Sequence, residues 1–122
     1  PCVDAQAREH VMESADPVRR RDLDAIPGAL DVLASGVADS VASGLAGLTR
    51  DLELQVEPPD VVWDDVAAPV DLWYGERDTT SPPAFGRWWA ETLRWAELTV
   101  VPDTGHLVAL SHWRPILTRL LT

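Results

Sequence analysis

Asp78 and His106 are the side chains in this sequence whose types and settings suit proton transfer. Each follows a short apolar stretch: residues 70–74, closed by Gly75, come before Asp78, and residues 98–101, stopped by Pro102, come before His106. The two lie 28 residues apart in the chain. If the stretches are neighbouring parallel strands, about 4.8 Å apart, their following loops leave the sheet at the same edge, where ligand sites of open α/β proteins gather. A carboxylate there can reach the imidazole, fix its tautomer and stabilise the imidazolium that forms when the ring takes a proton. The plainer reading makes Asp78 a turn residue after Gly75 and His106 a loop residue after Gly105. On spacing alone the plainer reading holds the advantage.

The elements that would position the pair can be read on either side of it. Residues 70–74 have the apolar, aromatic and β-branched make-up of a buried strand. Ser81 is read as an N-cap and Pro82 as the first helical residue, with Phe85, Trp88, Trp89 and Leu93 at helix spacing behind them. Residues 98–101 form the second strand. Trp113, Ile116, Leu117, Leu120 and Leu121 mark an amphipathic closing helix with Pro115 in its first turn. A strand joined to the next strand through such a helix is a parallel crossover. Upstream, residues 2–54 read as two or three helices with no strand signal, punctuated by Pro17 and by Pro27 with Gly28. Their apolar stripe is Leu30, Leu33, Val37, Val41, Leu45 and Leu48. Gly36, Gly44 and Gly47 each weaken a helix, so tight packing or a break is expected there. The arginines and aspartates around Arg19, Arg20, Arg21, Asp22 and Asp24 read as a solvated surface. Pro58, Pro59 and Asp60 form a break, which divides the chain into a helical segment, 1–57, and an α/β segment, 58–122.

Composition limits the classes of function. The 122 residues are 46% hydrophobic and 25% charged, enough for a folded core in at most one ordinary domain. A formal charge of −10 opposes attraction to nucleic-acid phosphates or anionic lipid, so neither nucleic acid nor membrane is expected as a partner. No run approaches the roughly 18 apolar residues of a membrane span, and no basic-then-apolar stretch opens the sequence. One cysteine, Cys2, allows no internal disulfide, and three scattered histidines make no metal pattern. A reducing, cytoplasmic setting is expected, with no metal and no cofactor.

The stretch Pro-Val-Asp-Leu-Trp-Tyr-Gly-Glu-Arg-Asp-Thr-Thr-Ser-Pro at 69–82 and the stretch Leu-Thr-Val-Val-Pro-Asp-Thr-Gly-His-Leu at 98–107 resemble the α/β-hydrolase family. The resemblance implies that Asp78, in the Gly-x-x-Asp after the penultimate strand, is the acid of a catalytic triad. It implies that His106, in the Gly-His after the last strand, is the base. It is strong over 66–121 and looser over Gly-Leu-Ala-Gly-Leu-Thr-Arg-Asp at 44–51, which is similar to the last lid helix of such enzymes. The sequence departs from the family at the nucleophile, which sits on a Gly-x-Ser-x-Gly strand-to-helix turn. None of Ser14, Ser35, Ser40, Ser43, Ser81 and Ser111 has glycine both two before and two after it.

The expected fold is therefore α/β, the C-terminal portion of an α/β-hydrolase fold: a helical lid segment followed by parallel strand, helix, strand and helix. The chain opens on Pro1 rather than Met, which agrees with a piece of a longer product. The expected function is hydrolysis of an ester, amide or related bond in a small-molecule substrate, with a serine or aspartate nucleophile outside this chain. The alternative is a non-catalytic remnant that binds a partner through an exposed sheet edge. Either way, the expected partner is the missing N-terminal part or a second copy. Among lesser candidates, Asp103 lies too near His106 along the loop to orient it, and Glu76 and Arg77 read as rim contacts. His112 falls at a helix start, the tryptophans read mainly as packing, and Cys2 lacks a neighbouring base.

Overall fold

The computed structural model describes residues 2–42, 44–57 and 59–121, and the side chains of residues 2–4 are not among those described. Ser43, Pro58 of the expected break and the thiol of Cys2 therefore lie outside the described set. The chain forms a mixed α/β structure divided into two compact units. Residues 1–15 and 27–61 make a helical unit, and residues 16–26 and 62–122 make a unit built on a parallel sheet.

The helical unit contains α1 (Cys2–Glu13), α3 (Ala29–Ala42) and α4 (Ala46–Val56). Small buried side chains, Ala7, Val11, Ala29 and Ala34, let α1 lie close against α3, and Arg8 pairs with Asp31 across them. Among the described residues, and counting α2 (Pro17–Ala25) in the other unit, the upstream segment holds four helices rather than two or three. The additional break falls at Gly44, whose φ of 93° is a left-handed conformation open to glycine. That break also interrupts the expected apolar stripe: Leu45 and Leu48 are exposed, and no residue of α4 is buried.

In the sheet unit, β1 (Val70–Gly75) pairs in parallel with β2 (Ala96–Val101), in a register running from Val70↔Ala96 to Gly75↔Val101. Side chains alternate across the strands. Tyr74 and Leu98 meet α5 (Pro83–Thr92) so closely that a β-carbon on Gly86 would lie 2.6 Å and 2.7 Å from them. Asp71 and Glu97 point to the opposite face, where Arg119 of α7 (Trp113–Leu120) pairs with both. β2 begins two residues before the expected 98–101, because Ala96 and Glu97 continue the ladder opposite Val70 and Asp71.

Two helix starts also differ from expectation. Ser81 does not cap α5: Pro82 holds the N-cap position, and the Ser81 N–H binds Asp78 Oδ1 at 2.8 Å. Pro82 is extended at ψ 150°, since a residue before proline avoids the helical region, and the helix begins at Pro83. The closing segment is two helices, α6 (Val108–Ser111) and α7, joined at His112. A continuous helix would drive the Pro115 ring into the Ser111 carbonyl, four residues back.

The division at residue 57 is not where the structure divides. α2 belongs with the sheet unit, where Leu23 is 6% exposed. Asp16 starts this helix by accepting from the N–H groups of Val18 (2.8 Å) and Arg19 (2.9 Å), and Pro17 fills the first position. No single described helix is long and apolar enough to cross a membrane.

All six tryptophans, from Trp63 to Trp113, lie in the sheet unit, so tryptophan fluorescence follows its unfolding alone. Leu23→Ala in α2 is expected to cost about 2–5 kcal/mol in that transition. Leu120→Ala, at a position 67% exposed, should stay within about 0.5 kcal/mol. Urea titration measures both, and an unshifted Leu23→Ala transition would contradict the membership of α2.

Candidate functional site

The parallel register ends both strands at one rim, and the loops beyond them carry the two residues singled out by the sequence. The turn after β1 is closed by the Asp78 N–H donating to Gly75 O at 3.1 Å. Asp78 then folds its carboxylate back over its own loop: Oδ1 accepts from the N–H groups of Thr80 and Ser81, both at 2.8 Å. Oδ2 faces His106 Nδ1 at 2.9 Å. The Asp78 side chain is 4% exposed, whereas 38% of the His106 side chain remains open. With the carboxylate as acceptor, Nδ1 is the donor, and in the neutral ring Nε2 is then the acceptor.

The contact depends on how closely the two loops approach. A β-carbon on Gly75 would collide with the carbonyl oxygens of Thr104 and Gly105 and lie 2.8 Å from the Thr104 carbonyl carbon. Backbone meets backbone there, with no side chain able to yield. Hydrogen bonds hold the loops at that distance: the Glu76 N–H donates to Val101 O and the Arg77 N–H to Thr104 O, each at 2.9 Å.

Asp103 ties the rim together from a left-handed conformation at φ 57°. Its N–H donates to Glu76 Oε2 (3.0 Å), and its carboxylate takes Arg77 (2.7 Å) and Arg21 of α2 (2.5 Å). Glu76 and Arg77 thus make the rim contacts read from the sequence. The Arg21 hydrogen bond, aided by the Arg21 and Arg77 charges, holds the Asp103 carboxyl below the ordinary carboxylate range.

α2 supplies residues that sequence reasoning missed. Asp22 is buried, and its Oδ2 accepts from the Gly105 N–H at 3.0 Å. Asp16 Oδ2 accepts from the Thr79 hydroxyl at 3.1 Å. The expected solvated surface is therefore corrected at Asp22, which is buried; Arg20, Arg21 and Asp24 are exposed as expected, and Arg21 also reaches the Asp103 loop. Nothing in a run of arginines and aspartates signals this, because it is set by partners more than 60 residues away. His112 sits at the start of α7, as its position suggested, with Nδ1 2.8 Å from Ser111 Oγ. That hydroxyl is also within 3.2 Å of Val108 O, and its single proton serves one acceptor at a time.

A hollow lined by Asp71, Trp95, Glu97 and Arg119 lies at the opposite end of the strands from Asp78 and His106. Among the described residues, no three His, Cys, Asp or Glu side chains converge as metal ligands. No family model, curated protein or solved structure matches this chain.

Gly75→Ala is expected to destabilise the sheet unit by about 1–3 kcal/mol, as overpacking does, in denaturant titrations followed by tryptophan fluorescence. A neutral Gly75→Ala would refute the close approach. The lowered Asp103 pKa sets a pH dependence: its contribution to stability is complete above the unfolded carboxylate pKa, about 4, and is lost as pH falls through the lower folded value. Asp103→Asn should therefore destabilise the unit at pH 6 and flatten the decline below pH 4, read from midpoints at several pH values.

Proposed function

We propose that this chain supplies the acid and the base of an α/β-hydrolase-type site, with Asp78 orienting His106 and the nucleophile lying outside the chain. The 2.9 Å contact between His106 Nδ1 and Asp78 Oδ2 carries the reading. It occurs at the rim of two parallel strands, on the Gly-x-x-Asp and Gly-His motifs whose likeness to that family suggested it. In this reading the mixed α/β chain is the C-terminal part of the hydrolase fold, with helices of the upstream segment as its lid.

The chemistry is set by the tautomer. Nε2 takes the proton of an attacking hydroxyl, the Asp78 carboxylate stabilises the imidazolium, and the same proton passes to the leaving group as the bond breaks. The covalent acyl-enzyme is then hydrolysed by water that His106 activates in the same way. If the nucleophile is an aspartate, His106 acts on the water alone. The substrate is a small molecule with an ester, amide or related bond, and the single cysteine suits a reducing, cytoplasmic setting.

The test is p-nitrophenyl ester hydrolysis by the complete product of the gene and by this chain alone. In the complete product, His106→Ala and Asp78→Asn should each lower kcat/KM by roughly three to four orders of magnitude. The chain alone should not exceed its own His106→Ala control. Activity of the complete product that survives His106→Ala would refute the reading. Strong activity of the chain alone, lost on changing one of its serines, would put the nucleophile inside it.

A second reading, a non-catalytic module that binds through its sheet edge, is favoured by one observation. Among the described residues β1 and β2 pair only with each other, so each keeps an outer edge of backbone donors and acceptors. That reading expects a mass that rises with concentration in sedimentation, and a monomer with sharp cooperative unfolding would count against it.

A further inference from the structure

The buried carboxylate of Asp22 is not explained by the acid–base pair, and it reaches the backbone one residue before His106. We propose that Asp22 is a positioning residue for His106: by holding the Gly105 N–H, it sets the backbone from which the imidazole reaches Asp78. The inference rests on the reading of Asp78 and His106 as the site.

The peptide groups leading into His106 are fixed from both sides. On one side, Gly75 lies against the carbonyl oxygens of Thr104 and Gly105, and Arg77 N–H donates to the Thr104 oxygen at 2.9 Å. On the other, the Gly105 N–H points into α2 and meets Asp22 Oδ2 at 3.0 Å. There is no slack in that direction, since a β-carbon on Gly105 would fall 2.6 Å from Asp22 Oδ2 and 2.7 Å from Val18 Cγ1. Arg21, the neighbouring residue, grips the same loop two residues earlier through the Asp103 carbonyl at 2.8 Å. α2 is also anchored at its start, where Asp16 takes the Thr79 hydroxyl beside Asp78. One helix thus touches the loop of the acid and the loop of the base.

Helix formation does not account for an aspartate at this place. Burying a carboxylate is costly, and Asp is a poorer helix former than Ala. What the side chain supplies is an acceptor for an N–H that would otherwise be buried without one. An amide oxygen of the same size can replace it, while an apolar side chain of similar volume cannot.

The experiment is NMR of the His106 ring in the unaltered chain, assigned by His106→Ala against His10 and His112, and repeated in Asp22→Asn, Asp22→Leu and Asp22→Ala. Tryptophan fluorescence reports folding of each variant. In the unaltered chain the Nδ1 proton should be observed and shielded from exchange by Asp78. Asp22→Asn should retain that signal. Asp22→Leu should stay folded yet exchange the Nδ1 proton roughly tenfold faster, the scale of one lost hydrogen bond; Asp22→Ala, whose side chain likewise supplies no acceptor, gives the same reading if leucine does not pack. A folded Leu or Ala variant whose exchange is unchanged, or a folded Asn variant that loses the signal, would overturn the proposal while leaving the Asp78–His106 reading intact. Absence of a shielded Nδ1 proton in the unaltered chain would overturn both.

Discussion

The carbonyl oxygens of Thr104 and Gly105 lie where a β-carbon on residue 75 would have to be, and the sheet unit is arranged around that contact of backbone on backbone. The register produces it: β1 and β2 end level with each other, at Gly75 and Val101. Pro102 has no N–H with which to continue the ladder. The chain then turns at Asp103 in a left-handed conformation, which aspartate tolerates better than most residues, and comes back over the end of β1. Once the loops touch, an aspartate three residues past Gly75 and a histidine just past Gly105 are within hydrogen-bond distance.

The rim charges have a different part. Exposed ion pairs contribute little stability one by one. Asp103, however, draws on Glu76, Arg77 and Arg21, residues of two separate segments, and their directions agree only when Asp103 holds its turn. Their effect is to select one loop conformation rather than to strengthen the core. The core is thin, since among the described residues no large side chain is fully buried. Much of the definition of the rim therefore comes from polar contacts.

Local and periodic features were the ones legible in the sequence. β1 could be read because Val70, Trp73 and Tyr74 favour strands, Leu72 is apolar, and Pro69 before it and Gly75 at its end mark its limits. The Asp78–His106 pairing was readable only in part: a parallel crossover returns both loops to one edge, but it was the likeness of the Gly-x-x-Asp and Gly-His stretches to the α/β-hydrolase family that singled the two residues out. The first residues of β2 were hidden because Ala and Glu are poor strand formers, and Ala96 and Glu97 are held by the ladder opposite Val70 and Asp71. The start of α5 is shifted because Pro83 keeps Pro82 out of the helical region. The place of α2 was illegible for a deeper reason. Its charged residues have the composition of a solvated helix, and Asp22 is buried by a glycine 83 residues away.

The left-handed turn at Asp103 and the bare backbone at Gly75 and Gly105 have a consequence for protein engineering. The Asp78–His106 contact is not two side chains that can be placed on any parallel sheet. It is a cassette of three backbone pieces, residues 75–81, residues 102–106 and the face of α2 that bears Asp16, Arg21 and Asp22. A graft that leaves out α2 carries the histidine loop with its Gly105 N–H unpaired. A host with any side chain at the position of Gly75 keeps the loops apart, so the host must be chosen by its strand ends before its pocket.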